Sequence, residues 1–202
     1  MEFERNNFMG QNIEKYEKGF IEIGEEVMIS DPCYEPGTWC QGIVKNMLPG
    51  SYRVGGEIVD CDTWGRRVSK IWILHEEYSE APPNFNEEDF EVGVDSGQAG
   101  IYDSVYFQQQ WKDKNTSEGW YSRVCDETFN KSIGFEFGTL DDKCVVSSSG
   151  FGDGSYTCYT SRNNDGKNVY VEIDFGVVDD DEDYYEEDDN GDYNYDDENE
   201  NI

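Results

Sequence analysis

The strongest structural signal in this chain is a β-hairpin near residue 165. Two runs rich in β-branched and aromatic residues, 155–161 and 168–175, flank the sequence Asn163-Asn164-Asp165-Gly166. Asparagine, aspartate and glycine tolerate the positive φ angles of tight hairpin turns, so this cluster predicts a turn between two paired strands. The hairpin favours an antiparallel β protein.

The remaining patterns are mostly short strands punctuated by glycine and proline. Residues 20–23 and 27–30 alternate apolar and polar side chains around a Gly-Glu-Glu turn, which predicts a second hairpin. Residues 67–75 predict a central strand, and 118–130 is the best helix candidate because its apolar residues fall four apart. We therefore expect a mainly β fold, an antiparallel sandwich or curved sheet with one or two packed helices.

The distribution of charge predicts the domain boundaries. The net charge is −31, and residues 179–202 contribute fourteen acidic side chains and no lysine or arginine, which leaves −17 for the rest. A segment this acidic buries too little apolar surface to offset the entropy of ordering, so we expect a disordered acidic tail. Residues 19–178 are expected to form a single β-rich domain, after a partly mobile lead-in at 1–18.

The acidic balance also limits the classes of partner. Nucleic-acid affinity depends on lysine and arginine, so direct nucleic-acid binding is not expected, whereas a basic protein is the better electrostatic match. The sequence has no apolar span and no signal-peptide pattern, which predicts a cytoplasmic protein that does not bind membranes. In that compartment the six cysteines are expected to be reduced, and without a CxxC pair structural zinc is not expected. The oligomeric state is left open.

Two glycine-rich stretches, 92–103 and 147–154, are the candidate site. Each presents an aspartate, Asp95 in the first and Asp153 in the second. If the loops meet, their carboxylates and hydroxyls bind a small polar ligand, a protein partner or a divalent cation; the alternative is that each aspartate caps its own turn. The candidate ligand-binding residues are Asp95, Ser96, Gly97, Ser147, Ser148, Ser149, Gly152, Asp153, Gly154 and Tyr156.

Common catalytic motifs are incomplete. The glycine-rich run 150–154 lacks the lysine and the following helix of a phosphate-binding loop, and 147–150 does not match a serine nucleophile motif. His75, the single histidine, is expected at a strand end on the surface. No catalytic residue is therefore assigned and no cofactor is expected, with a divalent cation as the alternative.

Several short blocks resemble, in order, a family of uncharacterised bacterial and phage proteins. They are Gly19-Phe20-Ile21-Glu22-Ile23, Asp31-Pro32, Leu48-Pro49-Gly50-Ser51-Tyr52, Gly93-Val94-Asp95-Ser96-Gly97, Ser149-Gly150-Phe151-Gly152-Asp153-Gly154-Ser155-Tyr156 and Asp174-Phe175. The family has a DP near the start, a PG-x-Y turn, a VD-x-G block and a terminal SG-x-GDG-x-Y hairpin. The resemblance implies the domain boundaries and a bacterial or phage setting, and it implies no activity.

Three functional hypotheses follow. The first is a non-enzymatic cytosolic protein that binds a small polar ligand or a protein through its glycine-rich acidic loops. The second is an inhibitor or nucleic-acid mimic that engages a basic protein through its acidic surface and tail. The third is a divalent-metal hydrolase in which Asp103 joins Asp95 and Asp153 around the ion.

Overall fold

Strands make up more than half of the residues that the computed structural model describes, which are 5–8, 11–113, 119–130 and 134–178. The strands are β1 (Arg5–Phe8), β2 (Gln11–Ile23), β3 (Glu26–Ser30), β4 (Gly42–Lys45), β5 (Gly50–Asp60), β6 (Arg66–His75), β7 (Phe85–Val94), β8 (Gln98–Asp103), β9 (Phe129–Asn130), β10 (Gly134–Phe135), β11 (Phe137–Leu140), β12 (Cys144–Ser148), β13 (Gly154–Arg162) and β14 (Asn168–Asp174). The α-helices are α1 (Ser104–Gln110) and α2 (Trp120–Thr128), and single 3₁₀ turns lie at Asp62–Trp64 and Trp111–Asp113.

The strands form two main antiparallel sheets. The larger sheet has seven strands in the order β1-β2-β5-β6-β14-β13-β7, and the smaller has five in the order β11-β12-β8-β3-β4. The short strands β9 and β10 pair only with each other. The mainly β class with antiparallel sheets is thereby confirmed.

The main core lies between the two sheets. On β14, Val171 and Ile173 are fully buried, while Glu172 between them lies on the opposite face of the sheet. From the smaller sheet, Ile29 and Ile101 enter the same apolar cluster. Each such side chain stabilises the fold by about 1.5–3 kcal/mol through its burial, so a two-sheet sandwich is the arrangement that this alternation favours.

A second apolar cluster covers the other face of the five-stranded sheet. Helices α1 and α2 pack there, with Phe107, Trp120 and Val124 against Tyr102 of β8. Every residue of β8 is consequently buried. The helix predicted at 118–130 is confirmed in type, as α2.

The hairpin predicted around residue 165 is confirmed. β13 and β14 pair antiparallel, and the turn between them is closed by a hydrogen bond from the Gly166 amide to the Asn163 carbonyl at 3.0 Å. Gly166 has a φ of +77°, which explains why the turn needs a glycine there.

The hairpin predicted for 20–23 and 27–30 is wrong. β2 pairs with β5 in the larger sheet, whereas β3 pairs with β4 and β8 in the smaller one. Both strands turn their apolar residues into the same core from opposite sides, Ile21 from β2 and Ile29 from β3. The alternation therefore identified two strands correctly but could not identify their partners.

Strands begin before residue 19, the predicted start of the domain. β2 begins at Gln11, so residues 11–18 of the predicted lead-in belong to a long strand. The predicted acidic tail, 179–202, lies outside the described residues. Among the described helices, none is long and apolar enough to cross a membrane.

Candidate functional site

Two connections cross side by side from one sheet to the other. Residues 95–97 join β7 to β8, and residues 149–153 join β12 to β13. β7 pairs with β13 in the larger sheet, while β8 pairs with β12 in the smaller. Because the strands that enter and leave these connections are neighbours, the 95–97 turn and the 149–153 loop must run together.

The turn and the loop are in direct contact. The Ser149 amide donates a hydrogen bond to the Gly97 carbonyl at 3.0 Å. Gly97 and Gly152 both have positive φ angles, +68° and +117°, and a β-carbon on Gly97 would lie 4.0 Å from the Gly152 Cα. The two glycine-rich stretches recognised in the sequence therefore form one structural unit.

The carboxylate of Asp31 holds this unit to the end of β3. Its side chain is fully buried, and Oδ2 accepts hydrogen bonds from the backbone amides of Asp95 at 2.9 Å and Ser96 at 2.8 Å. Oδ1 accepts from the Ser96 hydroxyl at 2.8 Å and from the Cys33 amide at 2.7 Å. A buried carboxylate needs such donors to compensate for its lost hydration, so Asp31 fixes the 95–97 turn relative to β3.

The 31–41 loop, which connects β3 to β4, is fixed at two further points. Near its start, the Pro32 carbonyl accepts a hydrogen bond from the Trp120 indole nitrogen of α2 at 3.1 Å. Near its end, the Cys40 carbonyl accepts from the Gly93 amide of β7 at 2.9 Å. Hydrogen bonds near both ends therefore hold the loop beside the 95–97 turn.

The three consecutive serines predicted to bind a ligand lie in the interior of the protein. Ser147, Ser148 and Ser149 are all buried. The Ser147 hydroxyl donates to the Ser148 carbonyl, and the Ser149 hydroxyl donates to the Gly152 carbonyl, each at 2.7 Å. The Tyr156 hydroxyl also donates to the Gly152 carbonyl, at 2.6 Å. These hydrogen bonds shape the 149–153 loop from within.

A groove of about 500 Å³ opens between the 31–41 loop and the two connections. Its lining includes Tyr34, Trp39, Asp95, Asp153 and Gly154. Of the ten residues predicted to bind a ligand, Asp95, Asp153 and Gly154 therefore lie on the groove. Asp95 and Asp153 are exposed, as a residue that contacts a ligand must be.

The two aspartates are close neighbours. Val94 and Gly154 are the last paired residues of β7 and β13, and each aspartate lies one residue beyond that pair. Opposite residues of an antiparallel pair have Cα atoms about 5 Å apart, so the backbones of Asp95 and Asp153 lie close together, and both residues line the groove. Such a pair attracts a cation and repels an anion.

Two aromatic residues accompany the carboxylates. Burial raises the pKa of the Tyr34 hydroxyl, and so does the hydrogen bond that this hydroxyl donates to Asp95, so Tyr34 remains a neutral donor at physiological pH. Trp39 is 93% exposed, although tryptophan is usually well covered. The groove thus combines negative charge with an uncovered aromatic ring.

Asp103, the third aspartate of the metal hypothesis, is remote from this groove. It lies at the far end of β8, five residues from Gln98 or about 16 Å at the usual rise of a strand. Both of its oxygens are engaged, Oδ1 by the Tyr106 amide of α1 and Oδ2 by the Gly24 amide, each at 3.0 Å. Within the described ranges, no cluster of three or more histidine, cysteine, aspartate or glutamate side chains is arranged to hold a metal ion.

His75 differs from its expected position on the surface. It is 5% exposed at the end of β6, and its ring packs edge-to-face on Tyr52 with ring centroids 5.1 Å apart. The Tyr78 ring lies on another side at 6.2 Å. Three aromatic rings therefore pack where the sequence predicted a solvated strand end.

Asp31 is the important site residue that pattern reasoning missed. The sequence signal was available, since an aspartate directly before a proline ends the apolar strand β3. Proline ends the backbone hydrogen bonding of the strand, so the carboxylate before it can accept hydrogen bonds from the backbone amides of neighbouring turns. Its partners in the 95–97 turn are distant in sequence, so they could not be inferred.

Comparisons with known proteins place the chain in a family. A family model described as "Protein of unknown function (DUF4241)" matches residues 25–173, which include all the groove residues named above. No curated protein and no solved structure matches the chain. Because the matched region covers most of the sequence, the chain belongs to the DUF4241 family of proteins of unknown function.

Proposed function

We propose that this protein is a binding protein, not an enzyme, and that its groove takes a lysine or arginine side chain of a basic partner protein. The observation that carries the proposal is the pair Asp95 and Asp153, exposed side by side in a groove with Tyr34 and Trp39. A guanidinium or ammonium group between the two carboxylates relieves their mutual repulsion and forms charge-assisted hydrogen bonds.

The aromatic lining supports the same ligand chemistry. A cation over an aromatic face gains about 0.5–2 kcal/mol, and tryptophan gives the strongest such contact. Trp39, at 93% exposure, has its ring surface free for this contact. Tryptophan and tyrosine are also the residues that most often dominate protein interfaces.

The charge of the whole chain supports a basic partner. At a net charge of −31, the field of the protein attracts cations and accelerates their encounter, most strongly at low salt. Few exposed basic residues compete for the groove, since the sequence holds only 15 lysines and arginines against 46 acidic residues.

A second candidate function is capture of a basic protein by the acidic tail, as an inhibitor or a mimic of nucleic acid. One observation favours it. Val177 is buried against the 149–153 loop, where a β-carbon on Gly150 would come within 2.9 Å of the valine side chain. The described part of the chain therefore ends beside the 149–153 loop, and the fourteen carboxylates of residues 179–202 follow it in the sequence. The two candidates differ in whether groove or tail supplies most of the affinity.

The groove is tested with the full-length protein and a defined cationic probe. The probe is an acetylated, amidated Gly-Gly-Arg-Gly-Gly peptide, and its control carries neutral citrulline in place of arginine. We expect the combined substitution Asp95→Asn and Asp153→Asn to weaken binding of the arginine peptide at least about tenfold in isothermal titration calorimetry, because two charge-assisted contacts are lost. Citrulline peptide is expected to bind weakly to both proteins.

The matched control is the combined substitution Asp142→Asn and Asp165→Asn, which removes the same number of negative charges. Both aspartates are exposed, and they lie at the ends of β12 and β13 that are opposite the groove, so this variant is expected to bind like wild type at moderate salt. Equal affinities for the two double variants would overturn the groove as the site.

A further full-length variant, with every tail aspartate and glutamate changed to asparagine or glutamine, separates the two candidates. If the groove binds the peptide, the affinity of this variant is expected to depend less steeply on salt. The loss of affinity caused by the Asp95→Asn and Asp153→Asn substitutions is expected to be unchanged. If affinity is instead lost with the tail charges and indifferent to the groove aspartates, the tail is the binding element.

A further inference from the structure

We infer that the basic partner also places a large apolar side chain on an exposed aromatic pair, Trp64 and Phe151, next to its cationic residue in the groove; this inference rests on the proposed function. The two rings come from different connections, Trp64 from the 3₁₀ turn after β5 and Phe151 from the 149–153 loop. Their centroids are 6.2 Å apart with an interplanar angle of 81°.

The pair is exposed far beyond what folding requires. Trp64 is 69% exposed and Phe151 is 57% exposed. The edge-to-face arrangement leaves most of both rings uncovered, and the Arg67 guanidinium lies 5.9 Å from the centroid of Phe151. Exposed aromatic rings brought together from separate loops are typical of protein interaction surfaces.

The aromatic pair lies close to the groove. Phe151 precedes Asp153 by two residues, so their Cα atoms are at most about 7 Å apart. Both residues belong to the same loop, which is held from within by Ser149 and Tyr156. A single extended segment can therefore reach the carboxylates with one side chain and the aromatic pair with another, one to three positions away.

The charges around the pair determine the kind of segment that fits. Asp60 and Asp62 lie close to Trp64 in the sequence and Asp153 follows Phe151; all three are exposed, and together they outweigh the positive charge of Arg67 beside Phe151. An acidic or neutral apolar surface would be repelled or would leave these carboxylates without a partner. The complementary partner is thus a basic protein segment with arginine or lysine close to leucine, phenylalanine or tryptophan.

The expected gain in affinity follows from the area covered. Covering about 60 Å² of ring surface corresponds to about a tenfold gain in affinity at the usual hydrophobic coefficient. One leucine side chain is large enough to cover that area on two neighbouring rings. The effect is therefore measurable with short peptides.

The experiment compares three peptides on the full-length protein by calorimetry: the arginine peptide, the same peptide with leucine two positions after arginine, and a leucine-only peptide. We expect the peptide with both residues to bind about tenfold tighter than the arginine peptide. Phe151→Ser and, separately, Trp64→Ser are expected to remove this gain and to leave affinity for the arginine peptide within about twofold. Val105→Ser, which removes another exposed apolar side chain on α1, is the control that keeps the gain.

Failure of this inference is distinguishable from failure of the groove. If leucine adds nothing while arginine binding still depends on Asp95 and Asp153, the aromatic pair is not part of the site and the groove stands. If the leucine gain survives both serine substitutions, the aromatic pair is excluded as its cause. If no peptide depends on the two aspartates, the proposed function itself fails.

Discussion

Replacing Asp31 by alanine is expected to lower the free energy of unfolding by about 3 kcal/mol or more. The substitution leaves three backbone amides and one hydroxyl without their acceptor, and each unpaired buried group costs about 1–3 kcal/mol before the structure relaxes. Urea denaturation of full-length wild type and variant, followed by circular dichroism, measures the difference.

Two further variants identify the source of that loss. Asp31→Asn keeps one acceptor oxygen but brings an amide group towards donors, so we expect an intermediate loss of stability. Asp126→Ala, at an exposed position on α2, is expected to change the free energy of unfolding by less than about 0.5 kcal/mol. An Asp31→Ala protein as stable as the Asp126→Ala protein would contradict the role given to Asp31.

Replacing Trp120 by alanine is expected to cost about 3–5 kcal/mol of stability. Trp120 is 1% exposed and packs against three other aromatic rings, Tyr102 at 5.5 Å, Tyr106 at 5.8 Å and Phe107 at 6.2 Å between centroids. Its removal empties the centre of the cluster between the helices and the five-stranded sheet. The measurement is again chemical denaturation of the full chain.

Trp120→Phe separates packing from hydrogen bonding. Phenylalanine retains most of the ring volume but leaves the Pro32 carbonyl without its donor, so a smaller loss of about 1–2 kcal/mol is expected. Trp64→Ala, at an exposed tryptophan, is the control and is expected to have little effect on stability. A large loss at Trp64 together with a small loss at Trp120 would contradict the assignment of the second core.

Local sequence signals predicted those features whose causes are local. The β13–β14 hairpin was predictable because Gly166 and its neighbours specify the turn, and the alternation on each side specifies the strands. The position of α2 followed from apolar residues four apart, of which Trp120 and Val124 are buried. Asp95, predicted to be presented by a glycine-rich stretch, lies in the turn between β7 and β8.

Partner choice between strands was not predictable from local pattern. Residues 20–23 and 27–30 have the alternation of a hairpin, yet the chain crosses between sheets at Gly24. Both arrangements bury Ile21 and Ile29 equally well, so alternation alone cannot distinguish them. The same limit applies to His75, whose burial depends on Tyr52 and Tyr78 from elsewhere in the chain.

The candidate site was predictable in position but only partly in composition. Its two loops were identified by glycine and aspartate content, and their contact follows from strand pairings that link residues more than forty positions apart. Composition could not distinguish an exposed aspartate such as Asp153 from a buried hydroxyl such as that of Ser147. Asp31, which joins the parts, acts through partners more than sixty positions away.

Titration of ¹⁵N-labelled full-length protein with the arginine peptide tests the central claim most directly, because amide shifts show where a cation binds. We predict saturable shifts centred on Tyr34, Asp95, Ser96, Asp153 and Gly154, which the citrulline peptide does not produce. Shifts confined to residues 179–202, or no saturable shifts in the groove, would contradict the account.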